Sequence, residues 1–570
     1  LVSIFKNKSK RFLIIVLTKK DYLMHSKKIL ASIVCGLLVS ANGVMAEEIK
    51  QGGTLTVPII NTGFVENFNP YTSGGLFEGV LFEPLMVFNN MTGKVEYRLA
   101  ESAEYSTDLK TITVKLRDNL KWSDGKPLTA KDVAFSFTMT KSAPAFDQKA
   151  IWTSGNLESV TATDAKTIVF TLNHADSTFI WGLPKYHILP EHVWSKVAVK
   201  DLPTFTNPNP VGSGPMTDVK YLKPQQMQLC RNTDYYLENR PYIDCITYRS
   251  YNDNSQVQPA LMKGEIDWGS NFIADIENTF VAADPQNNHF WYPANDAIHL
   301  YVNTKEAPFD NLNVRKALSM ALDREEIVDI AAYGYPTTNF NAGGIGELYK
   351  PYISKEVTEK YKDITKFNPE KAEQLLDEAG IKDLNDDGFR QMPNGDTLEF
   401  DINVVNGWTD WIQVVQMVTE YYEEIGIKAN VKTVDWAVYD KGLKESEYKM
   451  SINWSMVATN PIEAYQAYYL TEQIGKSWHA GHGVNSPEID ALVNSFGLTN
   501  DVTKQQAILD QLQEFTAANL PFIPLFSNAT WYQYRTENLV GWPSKENPYV
   551  QPVWYDGGKR NLIINNLHLK

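Results

Sequence analysis

Between Leu398 and Val431 the hydrophobic period changes from two to helical and back to two, and that order leaves few folds open. Leu398, Phe400, Ile402 and Val404 alternate with Glu399, Asp401 and Asn403, the mark of a strand with one buried face. After the loop Asn406-Gly407-Trp408-Thr409, the residues Trp411, Val415, Val418, Tyr422 and Ile425 recur at helical spacing, with Thr409 or Asp410 as N-cap and Gly426 as the C-terminal stop. Ile427, Ala429 and Val431 then alternate again. A strand, helix and strand joined this closely predict parallel pairing with a right-handed crossover, and hence an α/β fold.

In open α/β sheets ligands lie in the crevice beyond the carboxyl ends of the strands. Trp408 and Asp410 fall at such an end, and the short alternation Met450, Ile452, Trp454 puts Asn453 and Trp454 at another. An indole so placed either faces a ligand or packs as rim or core, and both readings stay open for Trp408 and Trp454. Three further helices are signalled. Thr129 with Asp132 forms a capping-box pattern ahead of Val133 and Phe137; Asn313 caps a helix bearing Val314, Leu318, Ala321 and Leu322; Asn368-Pro369 starts and Gly380 ends a third.

The N-terminal region carries a secretory pattern from Met24. His25, Lys27 and Lys28 precede the apolar run Ile29 to Val44, which closes on the small-x-small site Val44-Met45-Ala46. The expected mature start is Glu47, with residues 1–46 an upstream segment plus signal peptide; an N-terminal membrane anchor is the alternative. Cys35 lies early in the apolar run, outside a lipid-attachment context. Of the 53 basic and 68 acidic residues, eight and one precede Glu47, which leaves 45 and 67 and a net charge of −22. A field of that sign repels nucleic acid and anionic lipid, and leaves neutral or cationic solutes open. Cys230 and Cys245, the pair that remains, close a loop of about fifteen residues and read either as a disulfide worth roughly 3 kcal/mol or as two buried thiols. A chain of this length exceeds one core, so two or three domains are expected.

Catalytic and metal patterns do not assemble. In His187-Ile-Leu-Pro-Glu191-His192 the histidines are one residue too far apart for a zinc-protease helix, and Pro190 breaks it. His479 and His482 sit in a glycine-flanked loop as exposed or ligand-facing groups, without a third ligand. The run Asp383 to Gly388 matches the first half of a calcium loop, but its twelfth position is Asn394, so a solvated acidic turn is the better reading. No metal, cofactor or catalytic residue is implied.

Several stretches together resemble the family 5 solute-binding proteins of ABC importers, which include dipeptide and oligopeptide receptors. They are Leu81-Phe-Glu-Pro-Leu85, KWSDGKPLTAKDVAFSF from Lys121 to Phe137, Asn209-Pro-Val-Gly-Ser-Gly-Pro215, Lys263-Gly-Glu-Ile-Asp267, and VRKALSMALDREEI from Val314 to Ile327. The resemblance implies a two-lobed periplasmic binding protein of mixed sheets flanked by helices, closing on its ligand about a hinge. Lobe I is expected over 47–82, 211–300 and 526–570, an inserted domain of lobe I over 83–210, and lobe II over 301–525, with crossings near Asn303 and Phe526.

Within the family the chain is most similar to the branch that binds β-linked oligosaccharides, through Phe68-Asn-Pro70, Asn406-Gly-Trp408-Thr-Asp410, Asn453, Gly541-Trp542 and Glu546-Asn-Pro548. The candidate ligand set is Trp408, Asp410, Asn406, Trp542, Asn453, Trp454, Asn67, Phe68 and Trp268. Trp408 and Trp542 would stack on sugar rings from opposite sides of the cleft, and Asp410 would bind their hydroxyls. Glu66 stands where the chitin-binding pattern has a basic residue, and Ser455 where it has an aromatic one, so a cello- or laminari-type sugar is as well supported as a chito-type. The resemblance implies a monomer in the periplasm delivering an oligosaccharide, or alternatively an oligopeptide, to the transmembrane subunits of an ABC permease. Reporting to the periplasmic domain of a sensor kinase, and a secreted glycosidase, are the lesser alternatives.

Overall fold

The computed structural model describes residues 49–570 apart from 62, 148–150 and 253. The secretory segment, Cys35 and the expected start at Glu47 lie outside the described residues. Among the described residues no helix is long and apolar enough to cross a membrane.

The strand, helix and strand expected from periodicity are present. Glu399–Val405 buries Phe400, Ile402, Val404 and Val405 and pairs in parallel with Lys428–Val434, in register from Glu399 opposite Lys428 to Val405 opposite Val434. The helix Thr409–Glu424 between them buries Trp411, Val414, Val415, Val418, Tyr421 and Tyr422. That is an i, i+3, i+4, i+7 stripe, in which each large aliphatic side chain contributes about 1.5–3 kcal/mol on leaving water. Gly426, at φ +77°, ends it. The N-cap is Trp408 instead of Thr409 or Asp410, and no side chain caps the helix. Gly407, at φ +83°, turns the chain so sharply that helical geometry already begins at Thr409. A similar shift occurs at Leu312–Met320, where Asn311, not Asn313, is the cap and accepts from the Asn313 amide. The capping box at Thr129 and Asp132 and the Asn368 cap form as expected.

These strands belong to a six-stranded mixed sheet in the order Thr337–Thr338, Phe522–Ala529, Ala294–Val302, Met450–Trp454, Glu399–Val405, Lys428–Val434. Its core gathers Ile298, Leu300, Val314, Leu318, Ile402, Val415, Val418 and Ile452. A second sheet runs Thr54–Ile60, Cys245–Tyr251, Gln226–Arg231, Met216–Lys223, of which the first pair is parallel. Cys230 and Cys245 face each other on its adjacent antiparallel strands, their Cα atoms 4.0 Å apart, and form a disulfide. A third, antiparallel sheet, Ala100–Tyr105, Thr111–Leu116, Thr167–Leu172, Leu157–Ala162, has its own core around Trp122, Phe137 and Phe170.

Ala294–Val302 and Phe522–Ala529 run side by side until Ala294 faces Ala529. Beyond that point the Trp291 amide donates to the Tyr532 carbonyl and the Thr530 amide to that of Pro293. Asn303 and Phe526, expected at lobe crossings, follow the far end of one strand and lie inside the other. The chain leaves the six-stranded sheet at 291–293 and 530–532, because the ladder holds both strands together up to there.

Candidate functional site

Three adjacent parallel strands of the six-stranded sheet each deliver one tryptophan to the same edge. Met450–Trp454 ends in Trp454. Glu399–Val405 continues through Asn406 and Gly407 to Trp408, and Lys428–Val434 continues through Asp435 to Trp436, the first residue of the helix Trp436–Glu445. Parallel pairing puts all three carboxyl ends on one side. The Trp408 ring lies 4.9 Å from that of Trp454 and 5.7 Å from that of Trp436. Trp478, from the loop after Gly475, closes the group at 6.0 Å from Trp454 and 5.3 Å from Trp436. Trp411 packs beneath, 4.6 Å from Trp454. Trp436 is 44% exposed, whereas Trp411 is buried and the others are half-buried.

Hydrogen bonds behind the row fix it. The Trp478 indole N–H donates to Asp440 Oδ1 at 2.6 Å, and Lys444 pairs with the same carboxylate at 2.7 Å; the Lys444 ammonium and the indole N–H hold Asp440 below its usual range despite some desolvation. The Tyr301 hydroxyl donates to the Trp454 carbonyl at 3.0 Å and lies 3.0 Å from His479 Nδ1. His479 and His482 are buried, not exposed or ligand-facing. His482 bonds the Tyr468 carbonyl through Nε2, and its Nδ1 accepts from the Val484 amide. The glycines around them let the loop fold inward against Tyr301 and Tyr468.

Of the nine candidates, Trp408, Trp454, Asp410 and Asn406 are brought together. Asp410 is half-buried at the N-terminus of the helix Thr409–Glu424, and desolvation pushes its carboxyl up while the Trp411 amide opposes this. Asn406 is exposed, its backbone N–H bonded to the Val434 carbonyl. Asn453, at the strand end, is fully buried behind the row: its amide reaches the Trp478 carbonyl at 3.4 Å and its Oδ1 lies 3.4 Å from the Tyr439 hydroxyl. It joins loops and offers no face to solvent.

The remaining candidates lie with the second sheet. Trp542 is 5% exposed, its indole N–H spent on the Leu539 carbonyl and its ring packed on Trp268 and Tyr534. Trp268 and Phe68 are buried in the same core. Asn67 shapes a turn, accepting from the Asn69 amide. Alternation could not show which way these rings point, because none lies in a strand with a legible period. What opens there instead is a cavity of ≈ 490 Å³ beyond the carboxyl ends of Thr54–Ile60 and Trp268–Gly269, lined by Ile60, Asn61, Ser270, Asn271, Trp554, Tyr555 and Arg560 among others. Trp554 rests edge-on against Trp268 at 4.9 Å, with the Arg560 guanidinium 4.8 Å over its ring.

Ala294–Val302 connects the two places. Asn295 at its start donates to the Tyr555 hydroxyl at 3.2 Å, and Ile298 faces Trp454 in the ladder. Between them lies Asp296, buried at a bulge, with Oδ1 lacking a hydrogen-bond partner and burial pushing its carboxyl up to about 8. Trp436 was within reach of sequence reasoning, since the strand-end argument that selects Trp408 applies equally to the next strand. Trp478, Trp554, Tyr555 and Asp296 carried no such signal.

Mixed sheets flanked by helices, with polar and aromatic groups gathered at strand ends, are the arrangement expected of a two-lobed solute-binding protein. Comparison with known proteins agrees. Residues 94–476 match the family of bacterial extracellular solute-binding proteins, family 5 Middle. Oligopeptide-binding protein AppA of Bacillus subtilis is 27% identical over 89% of this chain and 92% of its own. ABC transporter peptide-binding proteins of Brucella, such as that of Brucella ovis, are 30% identical over 62% of this chain, and the match spans 65% of their length. Among solved structures, a periplasmic oligopeptide-binding protein of Thermotoga maritima superposes with a TM-score of 0.82 at 26% identity, covering 91% of this chain and 99% of its own. A second structure of it, with mannohexaose bound, gives 0.78 at the same identity, covering 91% and 98%. The chain belongs to family 5 of the bacterial extracellular solute-binding proteins, which are transport receptors and not enzymes.

Proposed function

We propose that this chain is the periplasmic receptor of an ABC importer and that it binds a β-linked oligosaccharide between the tryptophan row and the Trp554 cavity. The row carries this reading: three indoles on successive parallel strands form an aromatic edge suited to the apolar C–H faces of pyranose rings. Asp410 and Asn406 beside it suit the hydroxyl rim. Trp554 and Tyr555 take the opposing part first assigned to Trp542. The Thermotoga neighbour with mannohexaose bound supports a sugar in a site of this fold. Bound ligand leaves intact, delivered to the transmembrane subunits of a permease; the same closed form would serve a sensor kinase.

A peptide is the second reading, and by the names of the relatives it has the broader support. AppA, the Brucella proteins and the Thermotoga protein itself are all named for peptides. The half-buried Asp410 carboxyl suits a ligand ammonium as well as a hydroxyl. Calorimetric titration with cello-, laminari-, manno- and chito-oligosaccharides, alongside mixed tri- to pentapeptides, separates the two. Saturable heat with a sugar series and none with peptides is expected; the reverse returns the chain to the peptide receptors.

A further inference from the structure

Trp436 is the one tryptophan of the row that the core does not need. It is 44% exposed, yet it is not free to wander. Its ring meets Trp478 edge-on at 5.3 Å and 83°, and Trp478 is itself anchored by its indole N–H to Asp440. Asp440 lies one helical turn after Trp436 on the same helix, so one element carries both the exposed ring and the group that fixes its backing. Lys444, a further turn along, holds the Asp440 carboxylate in place. An exposed indole packed against a ring that is itself anchored by a hydrogen bond is preorganised for contact.

The spacing says what kind of contact. Neighbouring strands are about 4.8 Å apart, and the rings follow them: 4.9 Å from Trp454 to Trp408, then 5.7 Å from Trp408 to Trp436. The rings are tilted on one another by 61° and 44°, and the row advances one indole per strand, from half-buried Trp454 towards solvent at Trp436. A single ring needs one platform; a row that steps outward matches a ligand made of repeated rings.

We infer that Trp436 forms an outer aromatic subsite for a later ring of a linear β-linked oligosaccharide whose inner ring lies at Trp408, and that Asp440 is a positioning residue acting on that subsite through Trp478. This rests on the oligosaccharide reading above. The subsite adds affinity only for ligands long enough to reach it.

The test titrates wild type, Trp436→Ala, Trp436→Phe and Asp440→Asn with disaccharide to hexasaccharide members of the cello, laminari, manno and chito series, after thermal melts have confirmed folding. Wild-type affinity should rise with chain length. Trp436→Ala should weaken the longer sugars roughly ten- to hundredfold and the shortest bound sugar far less. Trp436→Phe should restore most of that loss, and Asp440→Asn should show the same length dependence at smaller size, which a general loss of stability would not produce. Equal weakening at every length, or none, overturns the subsite while leaving the oligosaccharide reading intact. Wild type that binds peptides and no sugar overturns both. Should Trp436→Ala fail to fold, the Phe and Asn variants decide by the same length dependence.

Discussion

Tyr301 and His479 meet at 3.0 Å directly behind the tryptophan row. The tyrosine hydroxyl has a single proton, which it gives to the Trp454 carbonyl, so the contact with His479 must use an Nδ1–H donated by the imidazole. One buried hydroxyl thus connects the strand that ends in Trp454 with the loop that carries Trp478. Tyr301→Phe removes both bonds and leaves the buried imidazole and the Trp454 carbonyl with one partner fewer each. A loss of about 1–3 kcal/mol in urea unfolding is expected, with ligand affinity lowered less than by removing a tryptophan of the row. Unchanged stability would show that water takes over the hydroxyl's role.

Burial holds His299 and His482 down to about 3 and His479 to about 4. Unfolded, each would titrate near 6.5. The unfolded chain therefore takes up these protons first as the pH falls, so the stability tied to neutral imidazoles is complete above about pH 6.5 and is lost on the way down to about pH 3. Melting temperature should fall steeply over that window. Proton uptake on unfolding at pH 5.5, measured by calorimetry in buffers of different ionisation enthalpy, should outweigh the proton that Asp296 gives up and so be positive; net release would mean the rings are protonated in the fold.

Trp408 and Trp542 should separate cleanly when truncated. Trp408 is half-buried and packs on Trp411, Tyr439 and Trp454, so Trp408→Ala is expected to weaken ligand roughly ten- to hundredfold and, unlike a purely cleft-facing ring, also to lower stability by about 1–3 kcal/mol. Trp542, 5% exposed with its N–H satisfied inside the core, should cost about 3–5 kcal/mol as Ala while the folded fraction binds normally. Calorimetry paired with urea unfolding on each variant reads both quantities. Normal binding by Trp408→Ala would remove it from the site.

The difference between these two residues marks how far the sequence could be read. The parallel pair around the helix Thr409–Glu424 was legible because burial writes a period into the chain, and the same logic located Trp408 and Trp454. It stopped at strand ends. Trp542 and Trp554 stand twelve residues apart in an aperiodic C-terminal stretch, and only tertiary packing turns one inward and opens a cavity beside the other. His479 and His482 look solvent-facing among glycines, yet those glycines let the loop fold into the core. Asn453 follows strand alternation, but the Trp478 loop covers the face it shows.

The disulfide spans antiparallel neighbours whose residues are 15 apart in sequence. Closing a loop of that size stabilises by about 3 kcal/mol, chiefly by restricting the unfolded chain. Peptide mapping of the unfolded, unreduced protein should find Cys230 and Cys245 unalkylated and linked, and a Cys230→Ser, Cys245→Ser double variant should melt several degrees lower. Full alkylation of both thiols without reductant would show the bond absent in solution.

Asp296 gives the opposite pH dependence to the histidines. Burial raises its carboxyl to about 8, with only its own amide and the Asn528 side chain opposing, and Tyr349, Tyr468 and Tyr555 all feel its charge. An aspartate in the unfolded chain titrates near 3.9. The folded protein thus keeps a proton that the unfolded chain gives up, so this contribution to stability is complete below about pH 4 and is lost as the pH rises to about 8. Asn keeps the shape and the hydrogen-bonding edge of a protonated carboxyl but cannot ionise. Asp296→Asn should therefore unfold much like wild type at pH 5 and be the more stable of the two at pH 9, with a flatter urea midpoint in between. If the substitution is equally costly at both pH values, Asp296 is ionised in the fold and its Oδ1 has found a partner in solution.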